Sequence, residues 1–111
     1  MGFKNMKQLC FDERYYKKLI KGRKTMTIRR GKRKFEIGEK VEVICGKRKL
    51  GIAKITNLVI KKFSDIDIKE VRKDGFRSKR KLKEALRKHY KNVKGSDIFT
   101  LIEFEWIEKY E

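Results

Sequence analysis

The chain has no proline and eight glycines, so glycine alone marks where one element stops and the next begins. Proline would fix φ and remove a backbone donor. Without it, every strand is free to pair and every helix runs until a cap or a glycine ends it. The runs between glycines are short. None approaches the ~18 consecutive apolar residues of a membrane span. Residues 1–11 also lack the apolar segment and small-residue cleavage site of a secretory leader. A cytoplasmic protein without membrane contact is therefore expected. Ile, Leu, Val and Phe recur at regular spacing, which sets the chain apart from disordered segments of similar charge. A domain of 111 residues buries roughly two-thirds of its unfolded surface, enough for a true core.

The periodicities give a chain of short alternating elements. Met6 to Phe11 reads as a strand. Asp12 is a candidate N-cap for a short helix, on which Tyr15/Leu19 and Tyr16/Ile20 form i,i+4 pairs. Gly22 falls where a C′ glycine would end that helix. Lys24 to Arg30 is β-branched and strand-like, Lys32 to Glu39 is a basic loop, and Val41 to Cys45 alternates as a strand. Gly46-Lys-Arg-Lys reads as a turn. Leu50 to Ile60 reads as a long strand bent near Thr56-Asn57. A second helix opens at Phe63-Ser64-Asp65 with Ser64 as cap and ends near Gly75. Ser78 caps a third helix whose stripe is Leu82, Ala85, Leu86 and His89. Ile98 to Ile107 is a strand, apolar on both faces in its first half and so expected at the sheet centre. No linker or repeat interrupts residues 1–111. The expectation is a single α+β domain of order β-α-β-β-β-α-α-β. Its mixed, strongly curved sheet or small open β-barrel would carry about three flanking helices.

Cys10 and Cys45 lie in apolar strand-like runs and read as buried thiols, not as a disulfide framework. With one histidine in the chain, His89, and that on an apolar helical stripe, no zinc site is expected. No cofactor is implied.

Thirty-three Lys and Arg stand against fifteen Asp and Glu, a net charge of +18. Such a field attracts polyanions by releasing their condensed counterions. Thermophilic proteins are also rich in lysine, but they add glutamate in step, and here the balance is one-sided. The basic residues gather in three runs: Arg29-Arg30-Gly31-Lys32-Arg33-Lys34, Lys47-Arg48-Lys49, and Lys79, Arg80, Lys81 and Lys83 around the third helix start. No RNA-binding signature with stacking aromatics appears, so sequence-specific readout is not expected.

The segment Gly22-Arg-Lys-Thr-Met-Thr-Ile-Arg29, between a helix end and a strand, resembles the signature of the ASCH domain, a relative of the PUA domain. That family carries Gly-x-Lys-x-x-Glu-x-Arg here. Gly22, Lys24 and Arg29 match, and Thr27 stands where much of the family has Glu. The Phe35-Glu-Ile-Gly38 approach to a strand, the Asp74-Gly75-Phe76 junction, the following helix and the last Ile-Glu-Phe strand extend the resemblance over nearly the whole chain. Within the family the segment is similar to the small bacterial N4-acetylcytidine amidohydrolases, whose catalytic residues are a Lys, a Thr and a Glu. The resemblance carries the Lys to Lys24, the Thr to Thr27 and the acid to Asp74. Glu70, one helical turn earlier, is the alternative.

Amide hydrolysis needs a nucleophile, a base and a place for the oxyanion. Thr27 would be the nucleophile. Lys24, with its pKa lowered by burial or by Arg23, Arg29 and Arg30 nearby, would be the base. Asp74 or Glu70 would orient the lysine or the substrate amine, and Arg29 would hold an oxyanion or a phosphate. Strict strand alternation puts Thr25, Thr27 and Arg29 on one face and Lys24 on the other. Lys24 reaches the same site only if the chain is still turning out of Gly22.

Three functions compete. The leading expectation is a monomeric ASCH domain binding RNA or a nucleoside in a basic cleft. That cleft would include Gly22, Arg23, Arg29, Arg30, Lys32, Arg33, Lys34, Lys47, Arg48, Arg80 and Lys81. The second is the acetylcytidine amidohydrolase. The third is a non-catalytic module that holds structured RNA through its surface.

Overall fold

The computed structural model describes residues 6–110. Its elements are β1 (Lys7–Phe11), α1 (Tyr16–Ile20), β2 (Met26–Arg30), β3 (Lys40–Cys45), β4 (Arg48–Lys62), α2 (Ile68–Lys73), α3 (Lys79–Arg87) and β5 (Ile98–Lys109), in the expected order. Single 3-10 turns precede α1 at Glu13–Tyr15 and α2 at Phe63–Asp65. The strands form one mixed sheet in the order β1-β3-β4-β5-β2. Among the described residues only β1 and β3 run parallel.

This α+β sheet curls into a half-barrel. Strand β4 carries the curl. Its register against β5 slips between Ile52 and Ala53 and again between Ile55 and Asn57, and each slip bends and twists the strand. The second is the bend expected at Thr56-Asn57. Gly51 lets the two strands close up: with φ at +151°, a Cβ there would sit 2.0 Å from the Glu108 carbonyl oxygen. Any other side chain would push β5 away.

The position of β5 between β4 and β2 explains its apolar run. Ile102 and Phe104 face a core shared with Leu9, Phe11, Leu19, Val41, Val43 and Ile55. Phe99 and Leu101, pointing the other way, join Met26, Ile28, Val71, Leu82 and Leu86 beneath α2 and α3. Burying each of Leu82 and Leu86 contributes about 1.5–3 kcal/mol.

Several expectations need correction. The second helix is not capped by Ser64. Phe63–Asp65 is only a 3-10 turn, and α2 starts at Ile68 under Asp67. The Asp67 carboxylate accepts from Glu70 N while Glu70 accepts from Asp67 N, a reciprocal cap that a serine three residues earlier does not match. The strand expected from Lys24 begins at Met26. The Gly46 turn is shorter than expected, since Arg48 already pairs with Cys45. Cys45 is buried but Cys10 is exposed, because Leu9 and Phe11 take the core face of an edge strand and alternation turns Cys10 outward. His89 is exposed as well, because α3 ends at Arg87, before the stripe reaches it.

Candidate functional site

The local chain path around Gly22 builds the site. Gly22 takes φ of +74° after the last turn of α1, and the backbone N–H groups of Arg23 and Lys24 then both donate to the Lys18 carbonyl, at 2.9 and 3.1 Å. The chain is therefore still wrapping around the helix end at Lys24. Thr25 N donates to the Lys73 carbonyl at 2.8 Å, fastening this turn to the end of α2. That wrap takes Lys24 out of the strand alternation and turns it inward.

The Lys24 side chain meets the C-terminal end of α2. Its Nζ donates to Asp74 Oδ1 and, at 3.1 Å, to the Asp74 carbonyl oxygen. Both side chains of this ion pair are 4% exposed. Aromatic faces close the other sides: Tyr15 at 4.9 Å, Phe11 at 5.7 Å and Phe76 at 5.9 Å from Nζ to ring centroid. Burial lifts the Asp74 carboxyl from 3.8 to about 6, against the pull of the Lys24 ammonium. The same burial pulls Lys24 below its ordinary value, opposed by Asp74. Burial also raises the Tyr15 phenol, helped by the Asp74 charge. The Asp74 carboxylate reaches the lysine directly.

Arg29 and Thr27 share one face of β2. Arg29 Nε donates to Thr27 Oγ1 at 2.9 Å, and Arg29 Nη2 donates to the Cys10 carbonyl at 2.5 Å. The guanidinium also lies over Phe11, 5.1 Å from the ring centroid. Because β1 and β2 are the two edges of the sheet, this one arginine spans the seam where the half-barrel fails to close. A pocket of about 350 Å³ lies at that seam, within the range of about 300–1,000 Å³ typical of ligand sites. Lys24, Asp74, Thr27 and Arg29 line it together with Tyr15, Phe76, His89 and Tyr90. Among the described residues, no three His, Cys, Asp or Glu side chains converge as metal ligands would.

The ASCH domain family model matches residues 3–108. The chain belongs to the ASCH domain family. Its fold is similar to the ASCH domain from Lactobacillus crispatus JV V101, with a TM-score of 0.73 and 16% identity, covering 95% of this chain and 79% of that one. A protein from Enterococcus faecalis V583 gives a TM-score of 0.72 and 17% identity, covering 95% and 82%. The ASCH protein of Zymomonas mobilis gives 0.66 and 13%, covering 90% and 68%. No curated protein matches the sequence.

In this ASCH domain the pocket gathers Lys24, Thr27, Arg29 and Asp74 and leaves other sequence candidates outside. Glu70 takes no part. Its carboxylate accepts from Lys61 Nζ at 2.9 and 3.0 Å and from Asp67 N. Arg30 points to the other face of β2, donating to Asp97 Oδ2 at 2.7 Å and to the Lys91 and Asn92 carbonyls. Arg33 bonds the Arg30 carbonyl, and Lys32, Lys34 and Arg80 are exposed. Gly22 acts through its backbone alone. Lys47 and Arg48 line a separate concavity beside Asp12 and Tyr16. Arg23 and Lys81 line a groove next to the pocket. The aromatic lining was missed by sequence reasoning. Tyr15 read only as a helix-packing residue, and the position of Phe76 straight after Asp74-Gly75 was the available signal.

Proposed function

We propose that this ASCH domain binds RNA or a modified nucleoside and seats the base in the pocket at the barrel seam. The observation that carries this reading is the wall chemistry. Tyr15, Phe76 and Tyr90 offer rings for a planar group, and Arg29 Nη1 makes no protein hydrogen bond among the described residues. Aromatic stacking with a few fixed polar groups is how proteins hold single bases. A net charge of +18 favours a polyanion or its monomers. The test is calorimetric titration with cytidine and N4-acetylcytidine. Saturable binding that weakens at least tenfold in Arg29→Ala is expected; no heat from either nucleoside overturns the reading.

A second reading, amide hydrolysis of an acylated cytidine, is favoured by the Thr27 hydroxyl standing in the same pocket as a lysine of lowered pKa. Thr27 Oγ1 would add to the acetyl carbonyl, passing its proton to the Lys24 amine, and Arg29 would hold the oxyanion. The proton would then go to the departing N4, and water would release acetate from Thr27. Among the described residues Thr27 bonds Arg29 and not Lys24, so binding is the better-supported reading. Incubation with N4-acetylcytidine, followed by chromatography for cytidine, decides between them. Release that is lost in Thr27→Ala means hydrolysis, and no release from folded protein means a binding domain.

A further inference from the structure

A second concavity, about 980 Å³, opens beside the pocket and shares Phe76 and Ala85 with it. Lys18, Arg23, Arg72, Arg77, Lys81 and Lys88 line it, with Glu84 as its one acid. These cations come from four separate stretches of chain: α1, the Gly22 turn, the end of α2 and its exit, and α3. None of the six is in a salt bridge among the described residues. Elsewhere the chain does pair its charges. Arg30, Lys61 and Lys73 each meet a carboxylate within 3.0 Å. A solvated basic face gains nothing from being concave or from abutting a base-sized pocket across a shared aromatic wall.

We infer that the groove takes the phosphodiester backbone next to the base seated in the pocket, so that the ligand is a single-stranded polynucleotide and not a free nucleoside. This rests on the base-binding reading of the pocket. A polynucleotide supplies what the two concavities ask for together: one planar group and, contiguous with it, a run of regularly spaced anions. An acidic peptide supplies the second without the first.

The test compares two charge-reversed proteins with equal net charge, using fluorescein-labelled octacytidylate RNA as the probe. Arg72→Glu/Arg77→Glu/Lys81→Glu reverses the groove. Lys40→Glu/Lys54→Glu/Lys62→Glu reverses exposed lysines of β3 and β4. The groove triple should weaken RNA binding at least tenfold and flatten the slope of log affinity against log salt by about 2, at ~0.7 per lost phosphate contact on a single strand. The control triple should change affinity less than threefold. Arg72→Gln/Arg77→Gln/Lys81→Gln repeats the measurement with a milder change should the reversed protein not fold. Equal losses in both triples, no loss in either, or equal binding of an octaglutamate peptide would overturn the inference. The pocket reading is tested separately with cytidine and with Lys24→Met/Asp74→Leu. The groove triple should bind cytidine as wild type does. Lys24→Met/Asp74→Leu should lose cytidine and weaken the RNA while keeping its salt slope. If RNA affinity in that variant equals wild type, no base enters the pocket, and the pocket reading fails together with the inference.

Discussion

The two ends of β2 each carry a cation paired with an aspartate, and the two pairs behave in opposite ways. Before the strand, Lys24 meets Asp74 where both side chains are 4% exposed. At its last residue, Arg30 meets Asp97 with side chains 31% and 27% exposed. Burial raises Asp74. Asp97 is lowered, chiefly because the Lys94 backbone N–H donates to it, with Arg30 adding to the effect. The formal partners are alike, so the partner alone does not set the direction; burial raises one carboxyl and a backbone hydrogen bond lowers the other. The exposed pair is a stitch that fixes the Lys91–Asp97 loop to the strand. The buried pair holds its charges against their solvation, which is the condition found at sites where protons move or ligands are gripped.

Removing one partner separates the pairs most sharply. Asp74→Ala leaves a buried ammonium without a counter-charge and should cost about 3–5 kcal/mol in urea unfolding. Lys24→Met/Asp74→Leu should return stability to near wild type while abolishing nucleoside binding. If the double variant stays as unstable as Asp74→Ala, the pair is part of the scaffold and not a functional charge.

Acid titration gives the next largest effect, with opposite signs at the two sites. Asp74 binds its proton more tightly when folded, about 6 against 3.8. Its contribution to stability is therefore fully present below pH ~4 and is lost as pH rises through about 6, worth up to about 3 kcal/mol. Asp97, whose folded pKa is lowered, contributes stability above its ordinary 3.8 that is lost as pH falls through the folded value. Unfolding of wild type against Asp74→Asn and Asp97→Asn, at steps from pH 3 to 7, should give difference curves of opposite slope. Equal signs would remove the distinction.

The smallest effect is expected from Glu70→Gln. Glutamine can keep the reciprocal cap with Asp67, and only the Lys61 pair is lost, worth less than about 1 kcal/mol. Nucleoside binding should not change. A loss of binding here would restore Glu70 as the acidic partner.

Much of this was legible in the residues. Period-two alternation placed the strands, and the two-sided apolar run of β5 placed it inside the sheet, between two neighbours, because those patterns record burial one residue at a time. What failed was whatever depends on where an element ends. Strict alternation would put Lys24 on the opposite face from Thr27, and only the turn after Gly22, which the strand pattern leaves open, brings it to the site. His89 fits the helical stripe in sequence, yet α3 stops before it. Ser64 has the right chemistry for a cap, but Asp67 has that chemistry and the glutamate three residues on. The sequence also shows basic runs, whereas the groove draws cations from four stretches that only the fold brings together.

Strand β2 has one neighbour in the sheet, β5, and β5 begins at Ile98, about 70 residues after Lys24, Thr27 and Arg29 have been added. At ~5–20 residues per second the delay on the ribosome is several seconds or more. Through that interval the nascent chain already displays most of its lysines and arginines beside ribosomal RNA, but β2 has no strand to lie against. The edge strand that carries Thr27 and Arg29 is therefore seated only with the emergence of residues 98–109, and a growing chain stalled before that point carries most of the charge of this protein without the sheet edge that sets its seam.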